Sequence, residues 1–219
     1  MRIMIIGGAG FIGCNAAQRF LKRKDDVLIV DNLSRRGTES NLRWLESLDS
    51  QLDFVLCDIR NFSELQKVFE EYHDIDVVLH LAAQVAVTTS VTEPREDFEI
   101  NALGTFNVLE SVRCGASDPL VIFASTNKVY GGMEDIAIEQ GPGVCPDEKE
   151  GRYRYRDLPD GIPENRLLDF HSPYGCSKGA ADQYVRDYSR IYGLPTVVFR
   201  QSCIYGPRQM GVEDQGWVA

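Results

Sequence analysis

Histidine is scarce, with three in 219 residues, and no two of the six cysteines form a C-x-x-C pair. No metal-ligand spacing emerges, so no metal is expected. The cysteines are Cys14, Cys57, Cys114, Cys145, Cys176 and Cys203. Several fall inside expected helices or strands, where a free thiol acts as a small apolar filler. Basic charge is also short: 23 Lys and Arg face 33 Asp and Glu, for a net charge of −10. A nucleic-acid binder carries a basic face, so nucleic acid is not expected as a partner. Arg152, Arg154 and Arg156 form the one local basic cluster, and acids flank it. It reads as a solvated loop face, the sharper alternative being an anion contact for a phosphorylated substrate. No apolar run is long enough to cross a bilayer, and Met1-Arg2 leads straight into Ile3 without a leader. These shortages together point to a reduced, cytoplasmic enzyme with no membrane partner.

What is present is alternation. Short apolar runs at 3–6, 27–30, 54–57, 77–81, 120–124 and 196–199 are rich in β-branched and aliphatic residues. Continuous runs of that kind suit parallel strands covered on both faces. Between them, 11–22, 61–72, 98–112 and 174–192 carry apolar residues at helical spacing. Asn61 supplies a good N-cap. Six strands alternating with helices predict an α/β fold, a doubly wound parallel sheet of the Rossmann kind. Residues 131–170 break the rhythm with Gly, Pro and charge, and read as a functional insertion bordering the substrate site. No apolar material remains after the sixth strand for a separate domain, so the whole of 1–219 is expected to be one dinucleotide-binding domain.

The first strand runs into Gly7-Gly8-Ala9-Gly10-Phe11-Ile12-Gly13 and then a helix. In that context Gly7 permits the tight turn, Gly10 lets the backbone approach a pyrophosphate, and Gly13 lets the helix pack close to the strand. The helix N-terminus then offers free N–H groups and its positive dipole end to the phosphates. Asp31 closes the second strand, where an acidic side chain accepts from the adenosine ribose and repels the extra phosphate of NADP. NAD is therefore the expected cofactor, although Arg35 and Arg36 follow closely and leave NADP open. Asp58-Ile59 ends the third strand, where a carboxylate can meet the adenine amino group or cap the helix at Asn61. Leu81-Ala82-Ala83 ends the fourth with small residues that leave room for a cofactor across the sheet edge.

Tyr174 and Lys178 stand at i and i+4, on one face of a helix. A free tyrosine, with a pKa of about 10, is a poor base at neutral pH. A nearby ammonium and an oxidised nicotinamide favour the phenolate and make it usable. The fifth strand ends in Ala124-Ser125-Thr126, so a hydroxyl is expected at the mouth where the nicotinamide lies.

With Asp31-Asn32-Leu33-Ser34-Arg35, Gln84-Val85-Ala86, Ser125-Thr126-Asn127-Lys128-Val129-Tyr130-Gly131, and the run Leu168-Asp169-Phe170-His171-Ser172-Pro173-Tyr174-Gly175-Cys176-Ser177-Lys178-Gly179-Ala180-Ala181-Asp182-Gln183-Tyr184, the chain resembles the extended short-chain dehydrogenase/reductase family. That family comprises nucleotide-sugar epimerases and dehydratases. Asp214-Gln215-Gly216-Trp217-Val218 adds to the resemblance, which runs along the whole chain. It implies an epimerase in which Tyr174 takes the proton from a sugar hydroxyl, Lys178 lowers its pKa while holding the nicotinamide ribose, and Thr126 orients the hydroxyl. It implies a nucleotide-sugar substrate, with a CDP-sugar favoured and C2 the centre inverted. It further implies that Phe11, Ile12, Asn32, Ser34, Arg35, Gln84, Asn101, Ser125 and Gln201 contact the cofactor and that Thr88 and Cys203 face the substrate. A homo-oligomer through the helices of Phe98 and Tyr174 is implied as well. A dehydratase needs an acid–base pair directly after Thr126, and Asn127-Lys128 provides no carboxylic acid; a 4-epimerase differs only in the carbon oxidised. Two departures stand out. Cys203, a weak hydrogen-bonding group, replaces the family's asparagine after the sixth strand. The family's chains also run on into a domain that grips the nucleotide, so this one reads as shortened, its substrate domain largely absent, and a non-catalytic NAD-binding module is the alternative.

Overall fold

The computed structural model describes residues 1–49, 52–141 and 153–211. Cys145, Arg152, the motif at 214–218 and positions 142–152 of the insertion lie outside the described residues. Six parallel strands form one sheet: β1 (Arg2–Ile6), β2 (Asp26–Asp31), β3 (Asp53–Leu56), β4 (Val77–His80), β5 (Leu120–Thr126) and, after a small hairpin, β8 (Thr196–Gln201). Their order is β3-β2-β1-β4-β5-β8. The order reverses between β1 and β4, and at such a switch point the strand ends open a crevice for ligand. The expected doubly wound sheet is therefore present.

Alternate residues of the strands enter two separate cores. Met4, Ile6, Leu28, Val30, Val121 and Phe123 face α3 (Phe62–Glu71), α6 (Gly104–Cys114) and α7 (Ser172–Tyr192). Ile3, Ile5, Val27 and Ile29 face α1 (Phe11–Lys22) and α2 (Thr38–Leu48). Both faces of the central strands are thus dry, which is why their sequence shows continuous apolar runs rather than alternation.

Four features depart from the expectations. Helix α2 was not anticipated. The expected helix at 98–112 is three pieces: α5 (Pro94–Phe98), a π-helical turn (Glu99–Leu103) and α6. A short helix, α4 (Val87–Thr92), precedes them. The insertion contains an antiparallel hairpin, β6 (Ile138–Gln140) with β7 (Tyr153–Tyr155). Arg154 and Arg156 both pair with Glu139 across that hairpin, at 2.9 and 3.5 Å, so they form an ion-paired surface. The insertion is pinned at its neck, where the Asp169 N–H donates to the Val129 carbonyl at 3.0 Å. Among the described cysteines, Cys14 and Cys57 are buried fillers, whereas Cys114 and Cys176 sit exposed on their helices. Among the described residues no helix is long and apolar enough to cross a membrane.

Candidate active site

The glycine turn is built as its spacing requires. Gly7 has φ +82°, a left-handed value that favours glycine. A Cβ on Gly13 would stand 2.3 Å from the Gly7 carbonyl oxygen, so only hydrogen lets α1 sit this close to β1. Gly10 caps α1 with no side-chain acceptor. The first N–H groups of the helix therefore remain available to an anion.

Beyond this turn a cleft of about 620 Å³ lies across the strand ends. It is lined by Gly7, Gly10, Phe11, Ile12, Gly13, Asp31, Asn32, Ser34 and Arg35 on the β1–β2 side, and by Asp58, Ile59, Leu81, Ala82 and Ala83 at its middle. Thr88, Ser125, Thr126, Tyr174, Lys178, Gln201 and Cys203 line the other end. Two expected cofactor contacts are not in the wall. Asn101 is buried behind it, where its amide donates to the Gln84 carbonyl at 3.0 Å and to Asp97 Oδ1 at 3.1 Å. Its Oδ1 accepts the Gln84 N–H at 3.0 Å. Gln84 turns its side chain onto the backbone of Ala86. Both residues hold the wall from behind, because Asn101, on the π-helical turn, meets the loop after β4 at Gln84 and not the cleft. Sequence reading missed the segment Arg208, Gln209 and Met210, which lines the cleft, as does Lys128. The Gly206-Pro207 turn was the available signal that the chain bends back there.

The two acids are already engaged. Asp31 Oδ2 accepts the Ala9 N–H at 3.0 Å and Oδ1 the Leu33 N–H at 2.8 Å. Burial nonetheless holds its carboxyl above the usual range. A carboxylate has about four lone-pair sites, so acceptor capacity remains for a ribose. Asp58 is gripped by Arg60, at 2.7 Å from NH2, and by Asn32 at 3.0 Å. The Arg60 contact holds its pKa at about 2. The cap of α3 is Asn61, not Asp58.

Lys178 is fully buried against β5. Its Nζ donates to the Ala124 carbonyl at 2.7 Å and lies 4.2 Å from the Phe123 ring centroid. Desolvation lowers its pKa to about 7, against the pull of Asp182 and Asp97. Without the cofactor the pKa of Tyr174 is raised, because burial outweighs the influence of Thr126 that lowers it, and Asp97 adds to the rise. The ammonium that was expected to lower it is turned toward Ala124. The Ser125 hydroxyl points back into α7, donating to Asp182 at 2.8 Å. Asp182 also takes both arms of Arg200 at 3.0 Å. Beneath Lys178, His80 is held neutral with a pKa near 3 by burial and by Lys178. Its Nε2 meets the Thr105 hydroxyl at 3.0 Å. Because that hydroxyl donates to the Asn101 carbonyl at 2.7 Å, Nε2 carries the proton.

A turn closed by Gly7 and Gly13, an uncapped helix N-terminus and small residues at 82 and 83 fit a dinucleotide lying across the sheet edge. The chain matches the model of the NAD dependent epimerase/dehydratase family over residues 3–217. It belongs to that family. NAD is its cofactor. The chain is 50% identical over 218 residues to CDP-paratose 2-epimerase of Salmonella typhi, covering 100% of this chain and 62% of the relative. It is 34% identical over 216 residues to dTDP-glucose 4,6-dehydratase of Salmonella typhimurium, covering 94% of this chain and 55% of that one. UDP-glucose 4-epimerase of Thermus thermophilus, solved with NAD, superposes at a TM-score of 0.74 with 30% identity, over 98% of this chain and 59% of that structure. The chain thus spans little more than half the length of the proteins it is similar to.

Proposed function

We propose that this chain is the cofactor-binding part of an NAD-dependent nucleotide-sugar epimerase, of the kind that inverts C2 of a CDP-linked sugar. One observation carries the choice. Thr126, which lines the cleft with Tyr174, is followed by Asn127 and Lys128. A dehydratase needs a proton donor for the departing water, and neither residue is a carboxylic acid. The 50% identity to CDP-paratose 2-epimerase supports the same reading.

When bound, NAD supplies a hydride acceptor that returns the hydride to the opposite face of the sugar carbon. The protein's residues move the proton. Tyr174 Oη takes it from the sugar hydroxyl as the ketone forms and gives it back on return. Thr126 Oγ1 orients that hydroxyl. Lys178, with a pKa near neutrality, is the cation that favours the phenolate once the cofactor is seated. Gly7 to Gly13, Phe11, Ile12, Asp31, Asn32, Ser34, Arg35, Asp58, Ile59, Ala82, Ala83, Ser125 and Gln201 hold the cofactor; Thr88 and Cys203 face the sugar. Residues 1–219 act as one NAD-binding unit, with the insertion at 131–170 bordering the substrate. Free buried thiols support a reducing, cytoplasmic setting. The exposed Phe98, Leu103 and Tyr184 support a homo-oligomer through the helices that carry them.

The test is to mix the purified chain with NAD and CDP-paratose and to follow the C2 configuration by NMR. Inversion supports the epimerase. NAD binding without inversion supports a non-catalytic NAD-binding module.

A further inference from the structure

After β8 the chain turns back across the cleft. The Asn15 amide, on α1, donates to the Pro207 carbonyl at 2.9 Å. The Asn41 amide, on α2, reaches the Arg208 carbonyl at 3.5 Å and the Ala9 carbonyl at 3.1 Å. Met210 is seated on Gly37 so closely that a Cβ there would come within 2.2 Å of Met210 Cγ. Residues 206–210 therefore bridge the N-terminal ends of α1 and α2. These helices flank the Asp31 side of the cleft, where a dinucleotide sheet holds adenosine. Arg208 has φ +64°, a left-handed backbone that a non-glycine residue keeps only where its surroundings hold it. Its guanidinium lies 3.6 Å from the centroid of the Trp44 ring. It also acts electrostatically on the Cys14 thiol in the first turn of α1, opposing the burial that raises that thiol to about 11.

Two further atoms mark this seat as incomplete. Asn41 Oδ1 and Gln209 Oε1 are buried with no hydrogen-bond partner among the described residues, and both side chains line the cleft. A buried acceptor left unsatisfied is costly. The adenosine half of NAD brings donors, the ribose hydroxyls and the adenine amino group.

We propose that residues 206–210 form a clasp over the adenosine half of the cofactor cleft, latched by Arg208 on the face of Trp44, and that this clasp sets how slowly the cofactor leaves. The inference rests on NAD as the cofactor and, for the purpose of slow release, on the proposed epimerase cycle. A cofactor that ends each cycle as it began has no need to exchange, and losing it in the reduced form would strand the enzyme. A latch outside the reacting end slows escape without touching the chemistry.

The full chain is loaded with NADH, whose fluorescence reports the bound state, and release is followed on mixing with excess NAD. Arg208→Ala and Trp44→Leu are each expected to release NADH three- to thirtyfold faster, the range a cation–π pair supplies. Arg208→Lys keeps the cation and is expected to restore slow release. The double variant is expected to be no faster than the quicker single, since one latch is broken only once. Circular dichroism checks that each variant is folded; a merely structural role would move its unfolding temperature and not the release rate. Unchanged release in both singles, or accelerations that multiply in the double, overturns the clasp. An unaltered chain that binds no NADH removes the cofactor assignment first, and the clasp with it.

Discussion

Lys178 concentrates most of the site's electrostatics in one atom. Its Nζ has the Ala124 carbonyl and a ring face for neighbours, with Asp97 and Asp182 near enough to act on it. The folded pKa, about 7, lies below the ordinary lysine value, so between pH 7 and about 10.4 the unfolded chain binds a proton that the folded chain does not. Stability therefore rises with pH across that window, and the full cost of burying the charge is present below it. Urea denaturation at a series of pH values is expected to show this rise, and Lys178→Met to flatten it. A slope unaltered by the substitution would mean that other groups govern the window. Tyr174→Phe isolates the proton step. Turnover is expected to fall about 100- to 10,000-fold, the range of general base catalysis, while calorimetry finds NAD affinity little changed. A variant that keeps its turnover would remove Tyr174 as the base.

The elements tell why part of the fold was readable in advance and part was not. The six sheet strands advertise themselves because each is buried on both faces. Helix α1 matches its expected limits because Cys14 and Ala17 face the sheet at helical spacing. Helix α2 offers less: it starts at a left-handed Gly37 with no side-chain cap, and its apolar anchors against the sheet are Leu42 and Leu45. The π-helical turn at 99–103 could not be read, because the residue that it redirects, Asn101, finds its partners in α5, α7 and the loop after β4. The site followed the same rule. Residues tied to a local motif, the glycine turn and the Tyr-Lys pair, were legible; Arg208 reaches the cleft through tertiary folding.

Two contacts between elements carry testable costs. Gly13→Ala forces a methyl against the Gly7 carbonyl oxygen, an overpacking worth about 1–3 kcal/mol, read as a lower denaturation midpoint with weakened NAD binding. Arg200 binds β8 to α7 through Asp182, whose side chain is fully buried. Arg200→Met strands that carboxylate, and breaking a buried pair of this kind costs about 3–5 kcal/mol. A loss below about 1 kcal/mol would mean that Ser125 and Gln183, whose amide donates to Asp182 Oδ1 at 2.9 Å, suffice for Asp182.

At the scale of the whole molecule, the cleft lies across the strand ends between two layers that pack on opposite faces of one sheet. The α1–α2 layer and the α3–α6–α7 layer are separate cores on opposite faces of the sheet. A ligand spanning Gly10, Asp31, Ser125 and Lys178 touches elements of both. Binding that occurs only in the folded state stabilises by mass action, about 2.7 kcal/mol at one hundred times the dissociation constant. For a chain of this size that amounts to about 5–10 °C in the unfolding temperature. NADP is expected to give a smaller shift at the same concentration, because the buried Asp31 stands where the ribose 2′-phosphate would lie. Arg35 and Arg36 line the same end of the cleft and pull the other way. Asp31 dominates because its carboxylate is locked in place by the Ala9 and Leu33 N–H groups and cannot swing aside. Thermal unfolding with each dinucleotide decides the contest: equal shifts would give the arginines the upper hand, and Asp31→Ala would then leave the balance between NAD and NADP unchanged instead of tilting it toward NADP.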